Sequence, residues 1–441
     1  MTQPGRAVTA RTLLLALDAV PYRVAVEAVA RGAFAGWAPP AALVAPFPSL
    51  THPGFAALFE PFGVEPSWGY EIRYYDLVGN AIVGGSPITY RDQVPPWSRL
   101  FDAPHRGVVA KVSNYVSAPM AARAEVDEIV DHVMASEHDV VIAYLGATDG
   151  FMHLYDDESL VAFLVDLDHR LAVLRRRHES VRGRPLRLVL FSDHGCGRAR
   201  VHYTGSLRPV LRDAGLRPVD RLDGPRDVVA HTFGIVNYSA LFLQDPALAA
   251  TAARAMTGLA SIDLAAYATS AESVEVLAGH GSARVRWRTT DAGRQFAYDD
   301  DGGDVLELGT ARARLAADDL LGADGFAHED AWLRETAFGA YPDPLRRLAD
   351  ALTGDRVRSR ATVLLSLGPG WSWGWRSAFA GGIVRGGRLK GTHGGLDRES
   401  TLGFFLVDDV TAGAAPVVRA DTALAPYADI VCADRSRRRA G

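Results

Sequence analysis

Two cysteines, Cys196 and Cys432, and two lysines, Lys111 and Lys390, are all that 441 residues contain of either type. Two thiols cannot build a disulfide framework, and a zinc site made of thiolates is all but excluded. With so few lysines, nearly all positive charge is arginine, a bias of the kind a GC-rich gene produces, and a lysine nucleophile or Schiff base is disfavoured. Long apolar runs are also missing. The first, Leu13–Leu17, is broken by Asp18 and falls far short of the ~20 residues a membrane span needs. It has neither a basic lead-in nor a small-residue cleavage site, so it does not read as a secretory signal. Nor is there a basic excess. Lys plus Arg number 47 against 52 Asp plus Glu, a net charge of -5, which argues against a nucleic-acid-binding surface. The basic tail Arg435–Arg439 reads as a frayed, solvated terminus. No internal repeat is present. These absences predict a cytoplasmic protein with no membrane and no nucleic acid polymer as partner; they leave the oligomeric state open.

What is present is material for a large core. Hydrophobic residues make up 48% of the chain and charged ones 22%, which excludes a disordered or fibrous chain. Continuous apolar runs at Thr12–Leu17, Asp139–Leu145, Leu186–Phe191 and Ala361–Leu367 have the pattern of strands buried on both faces of a parallel sheet. Helical spacing follows the first near Tyr22–Gly32 and separates the second from the third (Leu160, Phe163, Leu164, Leu167, Leu171, Leu174). Strand–helix–strand repetition predicts an α/β fold: a three-layer α/β/α sandwich around a mostly parallel sheet. Between about 216 and 355 the texture changes. Ser273–Leu277, Ala283–Arg288 and Arg294–Tyr298 alternate like antiparallel strands, and helices are expected near Asp330–Phe338 and Pro344–Leu352. The division expected is a core over 1–215, an inserted α+β region over 216–355, and the rest of the core over 356–441. The acidic tract Asp299–Asp304 lacks the ligand spacing of a helix-loop-helix calcium site and reads as a solvated turn.

Each apolar strand runs into a polar cluster, the place where open parallel sheets hold their ligands. Asp18 ends the first, Asp149 and His153 follow the second, Asp193 and His194 end the third, and His393 precedes the apolar run Leu402–Val407. A lone strand-end aspartate is an ordinary helix cap; three Asp and three His together are not. Asp149 and His153 are one helical turn apart and share a face. Asp193 and His194 are adjacent and converge only if the strand breaks, which Gly195 permits. Six such donors exceed the needs of one tetrahedral zinc and suit two divalent metals, a clamp for in-line displacement at phosphorus. The loop Pro46–Gly54 supplies hydroxyls, Ser49 and Thr51, ahead of a helix-compatible segment Phe55–Phe59. Either could be a cap; either could be a nucleophile at a helix N-terminus.

Taken in order, Asp18, Pro48-Ser49-Leu50-Thr51-His52-Pro53, Asp149-X-X-X-His153, Asp193-His194-Gly195 and Gly391-Thr392-His393-Gly394 resemble the alkaline phosphatase superfamily. The nearest branch is the type I phosphodiesterase/nucleotide pyrophosphatase group, which includes phosphonoacetate hydrolase. The resemblance implies one zinc held by Asp149, His153 and His393, and a second held by Asp18, Asp193 and His194 with the Thr51 oxygen. Manganese is the alternative metal. It also implies hydrolysis of a small-molecule phosphodiester or related phosphoryl compound through a phosphothreonine at Thr51. Phosphonate C–P hydrolysis and phosphomonoester hydrolysis use the same kind of centre, and a non-catalytic binder of phosphoryl ligands is the reading from another class. A type I sulfatase is disfavoured for want of a Cys/Ser-X-Pro-X-Arg sequence in the nucleophile loop.

The departures from the family pattern are specific. Family diesterases usually carry Asn-His where this chain has Gly54-Phe55. A downstream Asn that donates to the phosphoryl oxygen aligns with Glu71 or Ile72, where a carboxylate would repel phosphate unless protonated or paired. Tyr70 and Asn80 are the other candidates for that role. Arg198, Arg200 and His202 are candidates for gripping the rest of the substrate, or equally a solvated basic loop. Cys196 reads as a packing thiol, and Trp371, Trp373 and Trp375 as packing sooner than base stacking.

Overall fold

A computed structural model describes residues 10–84, 94–103, 117–198, 201–231, 234–300, 302–373, 389–409 and 415–440. Arg200, Asp301 and Trp375 lie outside the described residues. Among the described residues, no helix is long and apolar enough to cross a membrane.

The first half alternates strands and helices in the expected way: β1 (Arg11–Leu17), α1 (Tyr22–Ala30), β2 (Ala41–Val44), α2 (Thr51–Leu58), α3 (Ala118–Ala135), β3 (Val140–Leu145), α4 (Ala147–Leu154), α5 (Asp157–Arg182) and β4 (Leu186–Phe191). Then come the strands of a second sheet: β5 (Arg217–Pro218), β6 (Asp227–His231), β7 (Tyr238–Leu243), β8 (Ile262–Ser270), β9 (Ser273–Ala278), β10 (Gly281–Thr290), β11 (Gly293–Asp299) and β12 (Ala327–His328). The chain closes with α6 (Pro344–Thr353), β13 (Val363–Leu367), β14 (Leu402–Val407), β15 (Val417–Arg419), α7 (Ala420–Ala423) and α8 (Ala428–Ala440).

The core sheet has six strands in the order β15-β2-β14-β4-β1-β3. Only β14 runs against the others. The central strand β1 is buried along its whole length. Leu13, Leu15 and Leu17 pack on the side covered by α3 and α5, while Leu14 and Ala16 pack against α2 and the aromatic residues around it. Both faces are therefore apolar, which is why β1 reads as an unbroken hydrophobic run.

The second sheet, nine strands in the order β12-β11-β10-β9-β8-β13-β7-β6-β5, is antiparallel except at β5–β6. The half-exposed strands expected between 273 and 298 are its meander β9–β11. The run at Ala361–Leu367, expected in the parallel core sheet, lies here instead as β13, antiparallel to β7 and β8. The reason is packing: Leu364 faces one hydrophobic cluster and Val363, Leu365 and Leu367 another. A strand covered on both faces shows the same apolar run in either sheet.

Two further expectations meet the structure differently. The basic tail is not frayed; it belongs to α8, where Arg437 pairs with Asp139 at 2.6 Å and Arg438 with Asp102 and Asp434, each at 2.6 Å. The acidic partners come from distant segments, so the tail alone looked unpaired. In the tract after β11, Asp300 and Asp304 are spent within the protein. Asp300 binds Arg312 at 2.9 Å and Asp304 accepts from the Leu308 and Gly309 amides.

Leu14, fully buried in β1, reports the integrity of the core sheet. Leu14→Ala is expected to cost about 2–5 kcal/mol, read as a lower midpoint in urea with unchanged slope.

Candidate functional site

The site sits where β1, β3 and β4 end. Asp18 directly follows β1, and its backbone amide is held by the Leu145 carbonyl at 3.1 Å. Asp149 and His153 lie on α4, one turn apart, with His153 Nε2 3.2 Å from Asp149 Oδ1. Asp193 and His194 lie just beyond β4, and His393 lies in a loop bridged to Val236 of the second-sheet region. Six residues spread from Asp18 to His393 thus form two groups: Asp149, His153 and His393 in one, Asp18, Asp193 and His194 in the other. Within each group the ligand atoms lie within 4.8 Å of one another. The rings of His194 and His393 stack at 4.3 Å and join the two groups.

The convergence of Asp193 and His194 has a different cause from the one expected. β4 has already ended at Phe191, and Gly195 does not adopt a positive φ. What Gly195 supplies is room. A Cβ there would stand 2.6 Å from the Leu402 carbonyl oxygen and closer still to that of Glu399. Gly54, where the family pattern has Asn, is likewise pressed on the Asp193 backbone, with a Cβ meeting the Asp193 carbonyl oxygen at 2.9 Å.

All three histidines are oriented the same way. Nδ1 faces a backbone carbonyl: Gly391 for His153 (3.0 Å), Gly195 for His194 (2.8 Å) and Ser49 for His393 (3.4 Å). With the proton on Nδ1, Nε2 presents its lone pair to the carboxylates, His194 to Asp193 Oδ2 at 3.3 Å and His393 to Asp149 Oδ1 at 3.4 Å. Burial pulls His393 down to about 4, aided by His194, and burial pulls His194 down to about 4. Burial opposes the charge of His153 too, but Asp149 beside it wins and raises it. Burial pushes Asp18 well above the carboxylate range, with Asp193 and Asp149 adding to the shift, and pushes Asp193 up to about 7. Asp193 Oδ2 is buried and accepts no hydrogen bond among the described residues. Lone pairs thus face lone pairs among largely buried side chains, with each outer ring nitrogen fixed by a carbonyl. That is the donor set a divalent cation fits.

Thr51 opens α2. Its Oγ1 lies 3.4 Å from Asp18 Oδ1 and 3.4 Å from His194 Nε2. The N-cap of α2 is Leu50, and no side chain caps the helix, so neither hydroxyl of the loop is spent as a cap. Ser49 is fully buried instead and bonds Gly395 O at 3.0 Å. Tyr144, on β3, donates its hydroxyl to Asp18 Oδ2, a partner that sequence reasoning missed. Its signal was a phenol inside an apolar run, because a buried hydroxyl needs an acceptor.

The candidate substrate-binding residues are not brought together. Arg198 is committed to Asp157 at 2.6 Å and to the Met152 carbonyl. Asn80 closes the hairpin at Asp76–Ala81, accepting from the Leu222 amide at 2.7 Å and from the Tyr75 hydroxyl. The Tyr70 hydroxyl is buried and accepts from the Ala361 amide at 3.0 Å. Glu71 differs. Tyr238 donates to its carboxyl, burial pushes it well above the usual carboxylate range, and Oε1 is sealed from solvent without a hydrogen-bond partner among the described residues. The Cys196 thiol, pushed up to about 12 by burial, packs against the Thr392 carbonyl. Trp371 meets the His202 ring at a tilt, with centroids 5.6 Å apart.

Because both obstructing atoms at Gly195 are backbone, Gly195→Ala must move the His194 segment. We expect a loss of about 1–3 kcal/mol, seen in the melting temperature, together with weaker zinc binding by titration calorimetry.

A comparison with curated proteins finds no match. Among solved structures, phosphonoacetate hydrolase from Sinorhizobium meliloti 1021, in complex with phosphonoformate, superposes with a TM-score of 0.51 at 12% identity, covering 96% of each chain. Human ectonucleotide pyrophosphatase/phosphodiesterase 5 gives a TM-score of 0.47 at 11% identity, covering 96% of this chain and 94% of the other. At such identities the first of these likenesses speaks for the fold alone. The family model described as type I phosphodiesterase / nucleotide pyrophosphatase matches residues 46–274, more than half of the chain, and that span includes Thr51, Asp149, His153, Asp193 and His194. The chain belongs to the type I phosphodiesterase/nucleotide pyrophosphatase family, a branch of the alkaline phosphatase superfamily.

Proposed function

We propose that the chain is a metal-dependent hydrolase of a small phosphodiester or related phosphoryl ester that works through a covalent phosphothreonine at Thr51. The observation that carries this reading is the position of the Thr51 hydroxyl, at the start of α2 and 3.4 Å from one member of the Asp18–Asp193–His194 group and from another. Asp18, Asp193 and His194 would hold one divalent ion beside Thr51, and Asp149, His153 and His393 a second. When bound, such ions neutralise charge on the phosphoryl oxygens and lower the pKa of a coordinated hydroxyl or water.

The chain's own residues do the rest. Asp18 Oδ1 and His194 Nε2 flank the Thr51 hydroxyl and orient it; as ligand atoms of a bound ion they would leave its proton to solvent. Thr51 Oγ1 then forms a bond to phosphorus while the bond to the leaving oxygen breaks, and the leaving alcohol takes a proton from water. Water cleaves the phosphothreonine in turn, releasing phosphate or its monoester and returning the hydroxyl. The three histidine tautomers, fixed by backbone carbonyls, keep the donor set in place so that little reorganisation accompanies the step. The N-terminus of α2 offers a phosphoryl oxygen the positive end of its dipole. We assign the phosphoryl-donor role of the family pattern to Glu71 on its chemistry: burial favours its neutral form, and a protonated carboxyl donates a hydrogen bond where an ionised one would repel phosphate. The region over 216–355, extended by β13, is the insert of this proposal, and it supplies Tyr238 to hold Glu71.

Thr51→Ala is expected to abolish release of nitrophenol from bis-p-nitrophenyl phosphate while leaving about two equivalents of zinc per chain by elemental analysis. Turnover surviving that change would place the nucleophile elsewhere. Comparing the diester with p-nitrophenyl phosphate and phosphonoacetate ranks the alternatives, and no turnover on any of them would leave a phosphoryl-binding protein. Glu71→Gln keeps a neutral donor and should hold kcat/KM within about threefold, whereas Glu71→Ala should lower it by about tenfold or more; equal losses in both would reject the neutral-donor role.

A further inference from the structure

Arg347, on α6, is buried and forms no ion pair among the described residues. Its neighbours behave otherwise. Arg346 pairs with Glu329, Asp350 and Asp421, and Arg419 with Asp343, in a network that fastens α6 to α7 and β15. Arg347 spends its donors on two backbone carbonyls and one hydroxyl. Nη1 donates to the carbonyls of Pro342 and Leu396, each at 3.0 Å, and Nη2 donates to Ser49 Oγ at 2.9 Å. A buried cation with no direct counter-ion is costly, so the contacts it makes there call for a reason.

The two contacts with distant segments, Ser49 and Leu396, lie on either side of one seam. Ser49 is two residues before Thr51, and Leu396 is three residues after His393. Across the seam the Ser49 amide donates to Gly394 O at 3.2 Å, the Ser49 hydroxyl to Gly395 O at 3.0 Å, and His393 Nδ1 to Ser49 O at 3.4 Å. The Ser49 hydroxyl has one hydrogen and two acceptors in reach, the other being Pro46 O within its own loop at 3.2 Å. Arg347 occupies the lone-pair side of that hydroxyl and at the same time grips Leu396 O, so the hydrogen is left for a carbonyl, of which that of Gly395 across the seam is the nearer. Burial pulls the guanidinium down to about 9, with Asp343 and Asp397 holding it up, which still leaves it charged at neutral pH.

From this geometry we infer that Arg347 is a positioning residue: through Ser49 and Leu396 it sets the nucleophile loop of Thr51 against the loop of His393. The inference rests on the function proposed above, since it takes Thr51 as nucleophile and His393 as ligand. It also gives the second-sheet region a part in the chemistry, because α6 packs on β8 and β9 through Leu345, Leu348 and Leu352 and reaches the seam from behind.

The test uses the full chain loaded with cobalt, whose visible absorption reports ligand geometry. Ser49→Ala removes one hydroxyl and leaves Arg347 its two carbonyls. It should melt within a few degrees of wild type, bind cobalt more weakly with an altered band for one of two ions, and lose roughly 10²-fold in kcat with KM little changed, the scale of an ångström-sized misplacement. Arg347→Met should do the same, and Arg347→Lys, still able to reach Ser49 Oγ, should recover part of both the spectrum and kcat. Two bound cobalt ions, unchanged bands and kcat within about threefold of wild type in folded Ser49→Ala would overturn the positioning role; that variant decides alone if Arg347→Met does not fold. Wild-type protein that bound no divalent ion would instead remove the proposed function, and the role of Arg347 with it.

Discussion

The cost of crowding ionisable groups out of water governs this structure. Asp18, Asp149 and Asp193 share one buried space with three imidazoles, two of which burial keeps neutral. Such a set repels itself unless positive charge is supplied. Much of the surrounding architecture holds it together against that repulsion. Three backbone carbonyls fix the histidines, the Ala19 amide donates to Asp193 Oδ1 at 3.2 Å, and the Tyr144 hydroxyl donates to Asp18. An aromatic group formed by Phe55, Trp97, Phe101 and Tyr144 walls in the same region beneath α2.

The core sheet and the second sheet contribute differently to this arrangement. The core carries most of the donors, because strand ends and the helices after them are where side chains leave a packed sheet. The second sheet contributes restraint. Val236 bridges to His393, Asn237 Oδ1 accepts from the Gly395 amide at 2.5 Å, and α6 lends Arg347 to the seam between the Thr51 and His393 loops. A region that reads as an appendage along the chain is thus woven into the back wall of the site.

The resemblance to phosphoryl hydrolases was carried by short motifs, and the side chains beside those motifs tell where the analogy has its edges. Gly54 stands where the family pattern has Asn, and it is pressed against Asp193 with no room for a side chain. Glu71, one of the residues aligned with the family's phosphoryl donor, lies beside Tyr238, where burial favours a neutral carboxyl. Arg198, by contrast, is held by Asp157 and the Met152 carbonyl.

Read alone, the sequence determined the local elements and the chemistry of the donors. Apolar runs marked β1, β3 and β4, helical spacing marked α5, and the three Asp and three His were legible because strand ends and polar residues are local features. It did not determine which sheet the run at Val363–Leu367 joins, since an apolar strand reports burial on both faces and nothing about its neighbours. Nor did it determine that α8 docks through its arginines, that Gly195 is needed for space sooner than for φ, or that Tyr144, Ser49 and Arg347 stand behind the donors. Each of those depends on partners dozens to hundreds of residues away, and only the folded chain decides who those partners are.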